Sequence, residues 1–271
     1  MAELLLELYS EEIPHGLQIS AREELLKNLT KSLEDEGIKF KSSEVYSTPT
    51  RIALIIKDLP TDIKIEAKEI RGPKVGVPDN IIEGFMRSHQ INKKDLFEKQ
   101  EEKGSFYYFK KEAKKILTEE ILISLLPKTL ASINWKKSMR WSDHNLNWGR
   151  PLQSILAVFN NKLLKFKYHH IESIDALIIV ENFVDKFKKV KNFKEYETHL
   201  KTNKIFLKQE DRKNIILKKF QSICKSKSYL ENFNEKLLEE VVNITENPNV
   251  IIADFDKEYL KIPEEIIIST L

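Results

Sequence analysis

A single cysteine, Cys224, stands in a chain of 271 residues. A lone thiol excludes an internal disulfide framework and any multi-thiolate metal site, and it fits a reducing compartment. Glycine is scarce and scattered, seven in all. Neither GxGxxG nor GxxxxGKS/T occurs, which removes both familiar phosphate-cradling loops. No apolar run approaches the ~20 residues needed to cross a bilayer. The opening MAELLLELYSEEIP carries acids where a secretory signal needs a basic stretch, so a cytoplasmic protein without a membrane segment is expected.

Catalytic constellations are equally thin. Glu11-Glu12 form the best carboxylate pair, but neighbours on a turn suit capping or ion pairing better than acid/base work. His169-His170 at a strand end would point to opposite faces, a poor chelating geometry. Asp143-His144 has no second pair at ligand spacing, and Cys224 has no recognisable partner in its basic surroundings. No catalytic residue and no metal site is expected.

What the sequence does hold is ordinary core material, 41% hydrophobic and 32% charged, enough for about two domains. The fold class reads as α+β in two mixed sheet-and-helix modules. These are 1–134 and 135–271, the second containing a basic helical block at 186–227. Glu3–Tyr9 reads as a strand, Leu-rich and ambiguous with helix. The ladder Leu17, Ala21, Leu25, Leu29, Leu33 predicts a helix stopped at Gly37. Strands are predicted at 44–47 and 51–57, and a half-buried one through Ile63, Ile65 and Ala67 that ends in a turn at Arg71-Gly72-Pro73. A helix over 80–89, a strand over 106–110 and a helix N-capped by Thr118, kinked or divided at Pro127, come next. Strands at 152–159 and 163–168 would flank an Asn160-Asn161 turn. Helices at 193–200, 211–225 and 235–244 follow, with strands near Ile205 and at 250–253. After Pro263, the acids of EEIIISTL suit a helical first turn with no cap behind it, as expected of a sequence cut from a longer chain.

Charge is unevenly distributed. From Lys186 to Lys227 there are fourteen basic and four acidic residues, a balance of +10; from Tyr229 to Leu271 it is −7. A basic block beside an acidic one suits a polyanion-facing surface, or equally a solvated helix face. Lys188, Lys189, Lys191, Arg212, Lys213, Lys218 and Lys219 are the candidate RNA contacts within it. All three tryptophans lie in NWKKSMRWSDHNLNWGRP, residues 134–151. Trp141 is the favoured core member with Met139 beside it, while Arg140 and Arg150 are the candidate functional members.

Five motifs, in order along the chain, carry a resemblance. ELYSEEIP (Glu7–Pro14) is similar to E-I/L-G-T-E-E-L-P. TPTRIAL (Thr48–Leu54) resembles T-P-R-R-L-A-L, and Arg71-Gly72-Pro73 matches R-G-P. KSMRW followed by Arg150-Pro151 resembles K-x-M-R-W…R-P. Residues 239–271 track E-E-V…E-x-P-x-V…L-x-L/I-P-x-E. Together they resemble the β chain of the two-subunit bacterial glycyl-tRNA synthetase, over its N-terminal part. Two departures stand out: Tyr9 replaces a glycine, and LIIVENF (Leu177–Phe183) lacks the family's Gly-His-Arg-Phe element.

The resemblance implies a tRNA-engaging, non-adenylating chain that holds no cofactor itself, with ATP used through an α subunit. It implies tRNA(Gly) and the α subunit as partners in a tetramer of two α and two β chains, and a partial likeness to the editing-type RNA-binding fold of phenylalanyl-tRNA synthetase β chains. A scaffold that docks the α subunit, or other β domains, is the alternative role. An editing hydrolase is disfavoured by the missing polar constellation.

Overall fold

The computed structural model describes residues 1–270 except positions 66, 102, 103, 112, 182 and 232; Leu271, the last residue of the apolar end, lies outside them. The chain is mixed α+β. Strand β1 (Ala2–Ser10) is the centre of the main sheet. Its leucines run without alternation because both faces are covered. Leu4, Leu6 and Leu8 enter one core, and Leu5 enters a second core on the opposite side. Helix α1 (His15–Asp35) lays the predicted ladder from Leu17 to Leu33 against the first core. It closes at Gly37, φ 74°, with Gly37 N–H bonded to Glu34 O and Ile38 N–H to Leu33 O. Glycine takes the left-handed position without penalty, and buried Ile38 seals the turn.

Strands β2 (Ser42–Thr48) and β3 (Arg51–Leu59) cover the two predicted runs and pair with each other as a hairpin, and β3 pairs antiparallel with β1. Two smaller sheets follow. Strand β4 (Asp62–Ile65) ends where the predicted strand reaches position 66, which is outside the described residues. Next come β5 (Lys68–Lys74), α2 (Asp79–His89), β6 (Leu96–Glu101), β7 (Gly104–Lys111) and β8 (Lys114–Leu117), paired as β4–β8 and β5–β7–β6. Arg71-Gly72-Pro73 is therefore not a terminating turn. It lies inside β5, where the register shifts between Arg71 and Lys74, and such a bulge accommodates a proline. A Cβ on Gly72 would lie 2.7 Å from the Phe85 ring, so close approach fixes that glycine. Arg71 stacks on Phe106 at 3.7 Å and pairs with Glu101 at 3.2 Å.

Helix α3 (Thr118–Ala131) runs through Pro127 undivided, and its N-cap is Leu117 rather than Thr118. The tryptophan segment then folds over the first core, held by a two-way backbone bridge between Met139 and Trp148. Trp148 is the buried member, 1% exposed, packed on Trp135 and Tyr168. Trp141 is only half-buried against the core and Met139 is 41% exposed, which corrects the expectation for that pair. A Cβ on Gly149 would stand 2.4 Å from the Trp135 ring.

Strand β9 (Leu152–Phe159) pairs with the other edge of β1. Asn160 and Asn161, φ 50° and 63°, make the tight turn into β10 (Lys162–Leu163). The strand predicted over 163–168 is interrupted. Buried Ser173 bonds the carbonyls of Leu164 and Phe166 and the amide of Phe166, taking the place of a ladder partner. Strand β11 (Lys167–Tyr168) and β12 (Ile171–Ile174) complete the sheet in the order β11-β12-β9-β1-β3-β2, with β12 parallel to β9. The sheet thus takes strands from both sides of residue 134.

A hairpin of β13 (Ala176–Glu181) and β14 (Val184–Lys189) follows, then α4 (Phe193–Thr202), capped by the Asn192 side chain. Together they cover the second core through Leu177, Ile179, Phe193, Tyr196 and Leu200. Helices α5 (Gln209–Lys227), α6 (Glu235–Ile244) and α7 (Glu264–Thr270) complete the order. No strand forms at Ile205, whose amide closes the end of α4 on Leu200 O. Nor does one form at 250–253, where Ile251 is 77% exposed and finds no ladder. No helix among the described residues is long and apolar enough to cross a membrane.

Candidate functional site

Three of the sequence motifs meet in one buried ion network. Glu7 sits mid-strand in β1 on the face of the second core, opposite Ala53 and Leu156. Arg51 opens β3, and its Nη1 is 3.2 Å from Glu7 Oε2. The same guanidinium lies 4.7 Å from the Tyr9 ring centroid and puts Nε 3.7 Å from Glu246 Oε1. Tyr196, from α4, donates its hydroxyl to Glu7 Oε2. Thr48 and Thr50 donate to Glu246 Oε1 at 2.5 and 2.8 Å.

Burial pushes the Glu7 carboxyl above its usual range, although Arg51 and Tyr196 draw it down. Burial also works against the charge on Arg51, but Glu7, Tyr196 and Glu246 outweigh it and hold the guanidinium protonated. Burial and Glu7 keep the Tyr196 hydroxyl well above its ordinary value, so it stays a donor. With Glu7, Arg51 and Tyr196 all closed to solvent, this network locks strands together. The sequence alone singles out none of Glu7, Tyr196 and Glu246 as site residues. The available signal was a charge placed among leucines in LLLELY and an arginine placed directly before IALII.

Arg212 belongs to the same interior and not to an RNA-facing surface. Its Nε donates to Val242 O, Nη1 to Phe206 O and Leu207 O, and Nη2 to Ser47 O, all within 2.9 Å. Burial brings its pKa down to about 10, which still leaves it charged. The guanidinium fork ties the start of α5 to β2 and to the C-terminal end of α6, a use of arginine geometry that charge counting does not reveal.

The other basic candidates lie outside. Lys188 and Lys189 are exposed on β14 and Lys191 just after it, with Lys189 also 3.1 Å from Asp175. Lys213, Lys218 and Lys219 are exposed on α5. Arg140 is exposed, while half-buried Arg150 donates to Gly149 O at 3.2 Å. Glu11 accepts from Gln153 at 2.6 Å, and Cys224 is buried. Asp143 is 3.9 Å from His144, which stacks on His170 at 3.6 Å. No group of three His, Cys, Asp or Glu placed to hold a metal occurs among the described residues.

Fold and site together define an α+β protein clamped by a largely buried ion network and lined on its outside by lysines. The chain belongs to the glycyl-tRNA synthetase beta subunit family, whose profile matches residues 4–271. It is 32% identical over 271 residues to the glycine–tRNA ligase beta subunit of Rickettsia peacockii (strain Rustic), covering 100% of this chain and 41% of that protein. The Rickettsia conorii (strain ATCC VR-613 / Malish 7) protein of the same name is 31% identical with the same coverage. That of Rickettsia canadensis (strain McKiel) is 32% identical over 272 residues, covering 40% of its length. The chain thus spans about two fifths of the length of these relatives.

Proposed function

We propose that this chain is a tRNA-engaging, non-adenylating part of a cytoplasmic glycyl-tRNA synthetase, supporting the ATP-dependent attachment of glycine to tRNA(Gly). Adenylate chemistry falls to an α subunit in a tetramer of two α and two β chains. The observation that carries this reading is the family membership joined to the exposed lysines of β14 and α5. Lysines on an outer face recognise phosphate through charge, and each contact gives a measurable salt dependence. The test is tRNA(Gly) binding by the two-subunit enzyme across a salt series, with Lys218→Glu/Lys219→Glu alongside. Weaker binding and a flatter salt slope in the variant support the reading, and an unchanged slope refutes the assignment of α5.

A second reading, docking of the α subunit or other β domains, is favoured by a different feature. Ile251, Ile252, Phe255 and Tyr259 are 47–77% exposed in sequence succession, and clustered exposed apolar groups mark contact surfaces. Under that reading, Ile251→Ser/Phe255→Ser separates the subunits and leaves RNA affinity intact.

A further inference from the structure

We infer that the tip and outer face of the β13–β14 hairpin form a stacking platform for unpaired nucleotides, with Phe183 and Phe187 as the stacking rings and Lys189 and Lys191 as the phosphate contacts. Leu177 and Ile179 root the hairpin in the second core, and the rest projects. Every residue of β14 is exposed. Phe187 is 61% exposed, Val180 51%, Val184 59%, and Phe183 is exposed in full.

Phe183 carries two costs at once. Its ring lies in water, and its backbone has φ 63°, a region that bulky side chains rarely occupy. The same chain shows the inexpensive solution elsewhere, since the β9–β10 turn places asparagine at both left-handed positions, 160 and 161. At the left-handed position that Phe183 holds, a hairpin needing only to reverse direction favours Asn or Gly. An aromatic held there against both preferences points to use.

The surroundings select the ligand. Lys186, Lys188, Lys189 and Lys191 alternate with or follow Phe187, and Asp185 is the one acid between Val184 and Lys191. Lys186 is spoken for by Glu181, and Lys189 is near Asp175. Aromatic faces beside lysines match a nucleic-acid strand, where each base offers a π-face next to a phosphate. Bases within a duplex already stack on one another, so the ligand is an unpaired stretch such as a loop or a 3′ end. Sheet geometry agrees, because Phe187 and Lys189 are two residues apart and share one face of β14.

This inference rests on the tRNA-engaging reading and narrows it to a ligand feature. The experiment measures binding of tRNA(Gly), an eight-nucleotide single-stranded RNA and a twelve-base-pair RNA duplex by the two-subunit enzyme. The variants are Phe183→Asn/Phe187→Ser and Lys189→Ala/Lys191→Ala. The phenylalanine variant should weaken tRNA binding about five- to a hundredfold. Its salt slope should be unchanged and its unfolding temperature equal or higher, because asparagine relieves the backbone strain. The lysine variant should flatten the slope by about 0.7 for each phosphate it no longer neutralises. The single strand, and not the duplex, should compete. Unchanged tRNA affinity in the phenylalanine variant overturns the platform while leaving the tRNA-engaging reading standing. So does loss of α-subunit association with tRNA affinity intact, which makes the patch a protein-binding surface. Absence of tRNA binding by the wild-type enzyme overturns both.

Discussion

Arg51 Nη1 stands 3.2 Å from Glu7 Oε2, and both side chains are 2% exposed. The pair joins the central strand β1 to the first residue of β3, and Glu246 draws the region after α6 onto the same guanidinium. Removing one member leaves a charge in the interior without its counterpart. Arg51→Met should therefore lower the unfolding free energy by about 3–5 kcal/mol. Glu7→Leu combined with Arg51→Met should cost less than the two single changes together. Urea unfolding of the four species checks this, and strictly additive losses would mean that the pair is not coupled.

Arg212 and Lys219 are seven residues apart on α5 and should respond oppositely to substitution. Lysine cannot reach the four carbonyls that Arg212 serves, so Arg212→Lys should lose about 2–3 kcal/mol. Lys219→Ala should stay within about 0.5 kcal/mol of the parent. Thermal unfolding of both variants is the measurement; equal effects would remove the distinction between interior and surface.

Gly149 and Gly72 differ in what a methyl group would meet. At 149 it would lie 2.4 Å from the Trp135 ring, beneath which Trp148 is fully enclosed. At 72 it meets the edge of the half-buried Phe85 ring at 2.7 Å and the Tyr107 carbonyl at 3.1 Å, a less severe overlap. Gly149→Ala should cost about 1–3 kcal/mol and shift tryptophan emission to the red, and Gly72→Ala should cost less. Fluorescence-monitored unfolding compares them directly.

His170 gives a pH signature. Burial, His144 and His169 hold its pKa below 6.5, with Lys167 adding to the effect and Asp143 opposing it. The unfolded chain consequently binds this proton more readily. The His170 contribution to stability is complete above pH 6.5 and is lost as pH falls through the depressed value. His170→Asn should flatten the fall in melting temperature between pH 7.5 and 5.5. A slope identical to the parent's would count against any part for the His144–His170 stack.

The elements with strong periodicity were legible from residues alone. The ladder from Leu17 to Leu33 gave α1, and the β-branched density of Arg51–Lys57 gave β3. What escaped was set by partners distant in sequence. The break in the strand over 163–168 depends on the hydroxyl of Ser173, and the burial of Arg212 depends on carbonyls as far away as Ser47. Trp148 rather than Trp141 fills the core because the Met139 bridge turns it inward, a pairing invisible in one-dimensional spacing. The β13–β14 hairpin leaves no signal in the sequence because all of β14 is exposed and no alternation can be read.

The central place of β1 has a consequence for synthesis. Strand β1 leaves the ribosome soon before β3, with which it pairs on one edge, but its other edge waits for the much later β9. Roughly ninety residues separate Leu59 from Leu152, about 5–20 s of translation at ordinary elongation rates. During that interval a leucine-rich edge of unpaired amides and carbonyls is open to any passing strand. The nascent chain therefore has a built-in window of vulnerability, in which chaperone occupancy should peak and then fall once Phe159 has cleared the exit tunnel.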